Sequence, residues 1–214
     1  MNKIVSNINI NDLAKSIIVS GYAMRTDIKT VKKDIKKMKK YLNNKTEYNE
    51  EMEKHIKRFI GLGTCDGTSG HTQCLTGVNI SFDLKFSIKG WIDIERYKFL
   101  NFITSQSTMH RLAKFDLIEC TNEYVDEIML KRLIEIQSEY IDNPTPENYL
   151  KLLYNNICGF TYTAGMTTSY RCLITIYHQR KNHKLPEFRK FCKWIETLPL
   201  MKYLLGLEEF KSFK

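Results

Sequence analysis

Between residues 78 and 88 the chain alternates without a break. Val78, Ile80, Phe82, Leu84, Phe86 and Ile88 are apolar, and Asn79, Ser81, Asp83, Lys85 and Ser87 between them are polar. A period of two over this length predicts a long strand with one face toward a core. The other face meets solvent or a ligand, which suits an antiparallel sheet covered on one side. Further strands are predicted near residues 2–10 and around 112–119.

Elsewhere the apolar positions recur at three and four. Asn11-Asp12-Leu13 opens a short helix through Ile18 and Val19, with Asn11 or Asp12 as its cap. Ile28, Val31, Ile35, Met38 and Leu42 form one stripe on a lysine-rich helix, which Asn43-Asn44-Lys45-Thr46 breaks. Met52, Ile56, Phe59 and Ile60 face inward on the next helix. Trp91 to about Phe102 reads as a helix, and Val125, Ile128, Met129, Leu133, Ile136 and Tyr140 mark another. In Asn143-Pro144-Thr145-Pro146-Glu147 one helix stops and the next starts, with Thr145 as cap and Pro146 at the first helical position. A helix from about Thr167 to Gln179 precedes one beginning at Pro186, with Phe188, Phe191, Cys192, Ile195 and Leu198 inward. The fold class is therefore α+β, an antiparallel sheet with packed helices, and 214 residues fit a single domain over 1–214.

Composition narrows the function classes. Hydrophobic residues at 43% and charged residues at 27% are globular values. No run of about 18 apolar residues occurs, so no membrane-spanning helix is expected. Met1 to Asn7 lack an apolar leader core, which points to the cytoplasm. Lys and Arg number 33 against 24 acids, a net charge of +9 that favours an anionic partner. Six of these cations, Lys32, Lys33, Lys36, Lys37, Lys39 and Lys40, crowd one helix. The six cysteines show no CxxC spacing and the five histidines no HxxxH or HxxE pattern, so reduced thiols and no metal site are expected.

Four polar clusters could carry chemistry. Gly61, Gly63, Gly67 and Gly70 place four of the ten glycines in residues 61–71, which end at His71. Such a loop lets backbone amides approach an anion, although it lacks the ending of a Walker loop and a preceding strand. Arg96-Tyr97-Lys98 follows the long strand. Ser105-Gln106-Ser107-Thr108-Met109-His110-Arg111 sets hydroxyls before a basic pair, a pattern that also caps helices. Finally, Arg171, Thr175 and His178 fall at i, i+4 and i+7 and share a helix face, while Arg180 points elsewhere. Guanidinium forks suit phosphate oxygens, and histidine donors suit a flavin or pyrimidine carbonyl.

In order and spacing these clusters resemble the flavin-dependent thymidylate synthase family, also called thymidylate synthase-complementing proteins. That family commonly has an amino-terminal Asn-Asp-Leu, as in Asn11-Asp12-Leu13. Its loop histidine, long strand and Arg-His-Arg triplet are matched by His71, residues 78–88 and Arg96-Tyr97-Lys98. Its serine-rich continuation is matched by residues 105–111 after a small insertion. Its arginine pair nine apart and following histidine are matched by Arg171, Arg180 and His183, the histidine one position early. The layout spans most of the chain, with four departures. Tyr97 replaces the middle histidine, Lys98 the second arginine, Asp93 a nucleotide-contacting glutamine and Gln106 the signature glutamate. Lysine loses bidentate geometry and an aspartate repels phosphate, so the flavin half of the resemblance is the stronger.

The resemblance implies reductive methylation of dUMP to dTMP in a homotetramer with active sites between subunits. FAD would be the cofactor, with NADPH and methylenetetrahydrofolate as co-substrates. His71, Arg96, Tyr97, Lys98, Ser169, Arg171 and His183 would hold the flavin. Asp93, Gln106, Ser107, Thr108, His110 and Arg111 would face the nucleotide, and Arg180 would activate the pyrimidine. A divergent flavoenzyme acting on another pyrimidine nucleotide, a basic nucleic-acid-binding protein and an inactive homologue retained for assembly are the alternatives.

Overall fold

The alternating segment forms strand β2, Asn79–Ser87, with Ile80, Phe82, Leu84 and Phe86 buried. The computed structural model describes residues 4–43 and 48–213, so residues 2 and 3 of the expected first strand and 44–46 of the expected helix stop lie outside the described residues. Strands β1 (Val5–Asn11), β3 (Asn101–Ser105) and β4 (Thr161–Ser169) complete an antiparallel sheet of order β1-β2-β4-β3. The helices are α1 (Leu13–Val19), α2 (Val31–Asn43), α3 (Glu50–Gly63), α4 (Ile88–Ile94), α5 (Thr108–Arg111), α6 (Glu127–Asp142) and α7 (Pro146–Tyr154), then α8 (Tyr170–Arg180), α9 (Pro186–Glu196) and α10 (Met201–Leu204). No described helix is long and apolar enough to cross a membrane.

The chain divides into two compact units, Met1–Asn7 with Phe82–Met166 and Ile8–Ser81 with Thr167–Lys214. In the first unit, Leu133 and Ile136 of α6 meet Leu152 of α7 and Phe160 in one apolar core. Trp91 of α4 is 2% exposed and packs its ring against Phe86, Phe102 and Tyr162, at 5.6, 5.0 and 5.5 Å. Each such side chain stabilises the fold by about 1.5–3 kcal/mol through burial. Thr145 caps α7 by accepting from the Asn148 amide at 3.2 Å, and Pro146 takes the first helical position as expected.

In the second unit α1 packs on α2 and α3, and α8 packs on α9. Met52, Ile56 and Phe59 of α3 are buried, as are Phe188, Phe191, Cys192 and Ile195 of α9. Glu53 is also buried, although the apolar periodicity leaves no place for it. Tyr41 donates a short hydrogen bond to its Oε1, which also accepts from the Phe213 amide at 3.2 Å. Burial, then the neighbouring carboxylate, push the Tyr41 hydroxyl up to about 12.

Several expectations are corrected. Residues 112–119 are not a strand: Asp116 Oδ1 accepts from the amides of Ile118 and Glu119, at 2.9 and 3.1 Å, and turns the chain. The helix expected over 91–102 stops at Ile94, and Phe102, Ile103 and Thr104 form β3 instead, as aromatic and β-branched residues favour. The helix expected from Thr167 starts at Tyr170, because Ala164, Met166 and Thr168 alternate inward on β4. Ile88 belongs to α4 rather than to β2. Asp12 adjoins α1 in a left-handed conformation, φ 61, and its side chain makes no cap bond. Ile28 is 62% exposed before α2 begins, and Ile128 and Met129 are exposed at the first turn of α6, where no core reaches them. Asp34 takes an inward place on α2 beside Val31 and Met38. Burial opposes its charge, but hydrogen bonds from Arg25 and Thr30, at 3.1 and 3.0 Å, hold its carboxyl below the usual range.

Two expectations follow. Tyr41→Phe strips Glu53 Oε1 of its hydroxyl donor and is expected to cost about 1–3 kcal/mol of stability in urea unfolding. A change within experimental error would show that this buried bond stabilises nothing. On α3, His55 Nδ1 is buried with no partner among the described residues, and burial, then Arg58, lower its pKa below 6.5. The folded state thus disfavours the protonated ring, so stability is full above the unfolded pKa. It declines as pH falls through about 6.5 and levels off below the folded value. Thermal melts from about pH 8 to 5 should show this decline, and His55→Phe should flatten it.

Candidate functional site

In the second unit, β4 ends at Ser169, whose hydroxyl caps α8 by accepting from the Cys172 amide at 3.5 Å. Tyr170, Leu173, Ile176 and Tyr177 are buried on one side of α8. That register presents Arg171, Ile174, Thr175 and His178 to a crevice of about 410 Å³. The opposite wall is the end of α3 and the following loop, Gly63, Thr64, Cys65 and Gly67, and Leu204 to Gly206 close one side. Gly63 allows the close approach of α10, since a Cβ there would lie 2.6 Å from Leu204 Cδ2.

The loop is tied down. Asp66 Oδ1 accepts from the Thr68 amide at 2.8 Å and hydroxyl at 2.7 Å, and these bonds hold its carboxyl below the ordinary value. Arg171 Nη2 donates to the Gly67 carbonyl at 3.3 Å, which leaves its remaining donors toward the crevice. Thr64 Oγ1 donates to the Ile60 carbonyl at 3.0 Å, so the glycine-rich stretch begins as helix rather than loop: Gly61 and Gly63 lie within α3. Ser69 Oγ is buried with no partner among the described residues. Glycine backbone, a guanidinium, an imidazole and hydroxyls beside apolar Leu75, Ile174 and Leu204 make a donor set that fits a phosphorylated group carrying a flat ring.

His71 is exposed on the 3-10 turn Gly70–Gly77, one residue before Thr72, which lines the crevice. Arg180, nine residues after Arg171, lies about 180° around α8. Its guanidinium sits 5.1 Å from the centre of the Phe188 ring, and the His183 ring packs on the same phenylalanine at 4.6 Å. His183 Nδ1 accepts from the Leu185 amide at 3.2 Å. Arg180 and His183 are thus brought together around Phe188, apart from the residues that line the crevice.

The remaining expected residues belong to the first unit. Asp93 on α4 pairs with Lys89 at 3.7 Å. Arg96, Tyr97 and Lys98 lie in the turn after α4 rather than on a helix, with Arg96 and Lys98 exposed. Gln106 pairs with β4: its amide donates to the Thr163 carbonyl and its Oε1 accepts from the Thr163 amide, both at 2.9 Å. Ser107 caps α5 by accepting from the His110 amide at 3.0 Å, and Thr108, His110 and Arg111 make up that single turn. The cysteines are free thiols. Burial raises the pKa of Cys74, Cys120 and Cys172 and pushes Cys192 up to about 12, which disfavours their thiolates at neutral pH.

Sequence reasoning missed Cys65, Thr72, Leu75 and Leu204 to Gly206. The glycine cluster signalled the first of these, whereas the carboxy-terminal wall is a long-range contact with no local signature.

The antiparallel sheet with helices packed on it is like the fold of the thymidylate synthase ThyX, as comparison with solved structures shows. The chain is similar to flavin-dependent thymidylate synthase ThyX from Helicobacter pylori complexed with FAD and dUMP. The TM-score is 0.65 and the identity 14%, over 94% of this chain and 96% of that one. A second Helicobacter pylori ThyX structure with FAD and dUMP matches at the same TM-score of 0.65 and 14% identity, over 96% of this chain and 97% of that chain. No protein-family model matches the sequence, and no curated protein does. At this identity the likeness is one of fold.

Arg171→Ala removes the bond to Gly67. Amide exchange over residues 66–69 is expected to rise at least about threefold, while global stability falls by about 1 kcal/mol or less, as for one exposed hydrogen bond. Unchanged exchange would show that Arg171 does not hold the loop.

Proposed function

We propose that the chain, as one functional domain over residues 1–214, is a flavin-dependent thymidylate synthase-like enzyme that binds FAD and a pyrimidine deoxynucleotide. The observation that carries this reading is the end-to-end likeness to structures holding FAD and dUMP. The donor set of the crevice supports it. When bound and reduced by NADPH, FAD supplies the hydride, and methylenetetrahydrofolate supplies the carbon that turns dUMP into dTMP. The protein's part is binding, orientation and electrostatics.

Arg171 gives its free donors to flavin phosphate oxygens, Ser169 fixes the start of α8 that aims it, and His71 and His183 donate to the ring system. Arg96, Tyr97 and Lys98 complete the flavin set from a neighbouring copy, in a homotetramer whose sites lie between subunits. Such sharing gives functions to opposite sides of α8 and so accounts for Arg180 lying half a turn from Arg171. Arg180 stabilises negative charge on the pyrimidine as it develops. Asp93, Ser107, Thr108, His110 and Arg111 face the nucleotide.

A second reading, a flavoenzyme of this fold acting on another pyrimidine nucleotide, is favoured by Asp93 and Gln106. The first is a carboxylate paired with Lys89, and the second has its Oε1 occupied by the Thr163 amide. Neither suits the dUMP contacts that the family resemblance implies for them.

The purified protein is expected to be yellow or to gain several degrees in melting temperature on adding FAD. A colourless protein whose melting point ignores FAD would overturn the reading. Arg180→Ala should keep FAD affinity within about threefold and lower turnover by about a hundredfold or more. Equal turnover in the variant would remove Arg180 from the chemistry, and product analysis with dUMP, dCMP and their methylated forms separates the two readings.

A further inference from the structure

The lysines of α2 are not used by the proposed enzyme. We infer that the outward face of α2 is a second binding surface, one that takes the phosphate backbone of a nucleic acid without regard to sequence.

The inner side of this 13-residue helix is settled, with Val31, Met38 and Tyr41 buried. Its one acidic residue, Asp34, is 6% exposed and held by Arg25 at 3.1 Å. The outer side therefore carries cations alone: Lys32, Lys33, Lys36, Lys37, Lys39 and Lys40 are all exposed. Among the described residues one of these six is in an ion pair, Lys37 with Glu51 at 3.5 Å, and both its partners are half exposed. The six fall within an arc of about 160° and along about 12 Å of helix axis.

Such a stripe opposes the helix that bears it. Lys32 with Lys36, Lys33 with Lys37 and Lys36 with Lys40 are like charges at i, i+4, which destabilise a helix. The repulsion is relieved by a partner with negative charges in a closely spaced line. A nucleic-acid backbone has this form, and lysine is a point charge that needs no fixed geometry to meet it. A helix that binds a lipid surface instead lays its apolar face into the acyl boundary. The apolar face of α2 is packed inside its unit.

The test is fluorescence anisotropy of a labelled oligodeoxythymidylate of about 20 nucleotides, titrated with the full chain at several salt concentrations. With six phosphates engaged, affinity should fall about 300-fold between roughly 50 and 200 mM salt. Lys32→Gln, Lys36→Gln and Lys40→Gln together should bind far more weakly at low salt and lose only about 20-fold over that range. They should also melt higher than the parent in low salt, because glutamine keeps helix propensity and removes repulsion. Lys131→Gln, Lys190→Gln and Lys211→Gln, an equal charge loss on other elements, should bind like the parent. No binding at low salt, equal weakening in both triple variants, or unchanged binding in the α2 variant would overturn the inference. So would binding to vesicles with about one-third phosphatidylserine but not to the oligonucleotide.

Discussion

Burial of Tyr170 is the constraint on which the crevice depends. Its ring is fully buried, its amide donates to the Val78 carbonyl at 3.1 Å and its hydroxyl donates to the Pro199 carbonyl at 3.2 Å. Burial also raises the pKa of that hydroxyl, so it stays a donor. With the first residue of α8 anchored at its backbone amide and at the tip of its side chain, the rotation of the helix is set. Leu173, Ile176 and Tyr177 must then turn inward, and Arg171, Thr175 and His178 must meet the loop after α3. A residue inserted between Tyr170 and Arg171 would rotate the crevice side chains by about 100° and would turn Leu173, Ile176 and Tyr177 out of the core with them.

A fold shared at 14% identity has a physical basis. A core needs apolar side chains of about the right volume at the right period, and many sequences meet that condition. Ligand contacts are less forgiving, because a guanidinium fork and an ammonium differ in geometry even at equal charge. The departures from the family pattern, Tyr97, Lys98, Asp93 and Gln106, all lie in the first unit.

Electrostatics is arranged differently on the two sides of α2. Inside, Arg25, Thr30 and Asp34 satisfy one another, so a buried carboxylate keeps its charge at little cost. Outside, six lysines share one weak ion pair among the described residues. The inner arrangement serves stability, whereas the outer one works against it and is understood through a partner.

Local pattern by itself determined much of this protein. The alternation of β2, the apolar faces of α3 and α9, the Thr145-Pro146 helix start and the shared face of Arg171, Thr175 and His178 depend on period and capping, which neighbouring residues encode. Tertiary structure decided the rest. β4 carries Thr161, Thr163, Thr167 and small Ala164 and Gly165, too weakly apolar for its alternation to stand out until strands on both sides pair with it. Glu53 and Asp34 turn inward because Tyr41 and Arg25, twelve and nine residues back along the chain, supply donors there. The wall formed by Leu204 to Gly206 exists because Gly63 lets α10 approach α3. Hydrogen bonds and close packing between remote segments outweigh local preference wherever a buried group must find its partner.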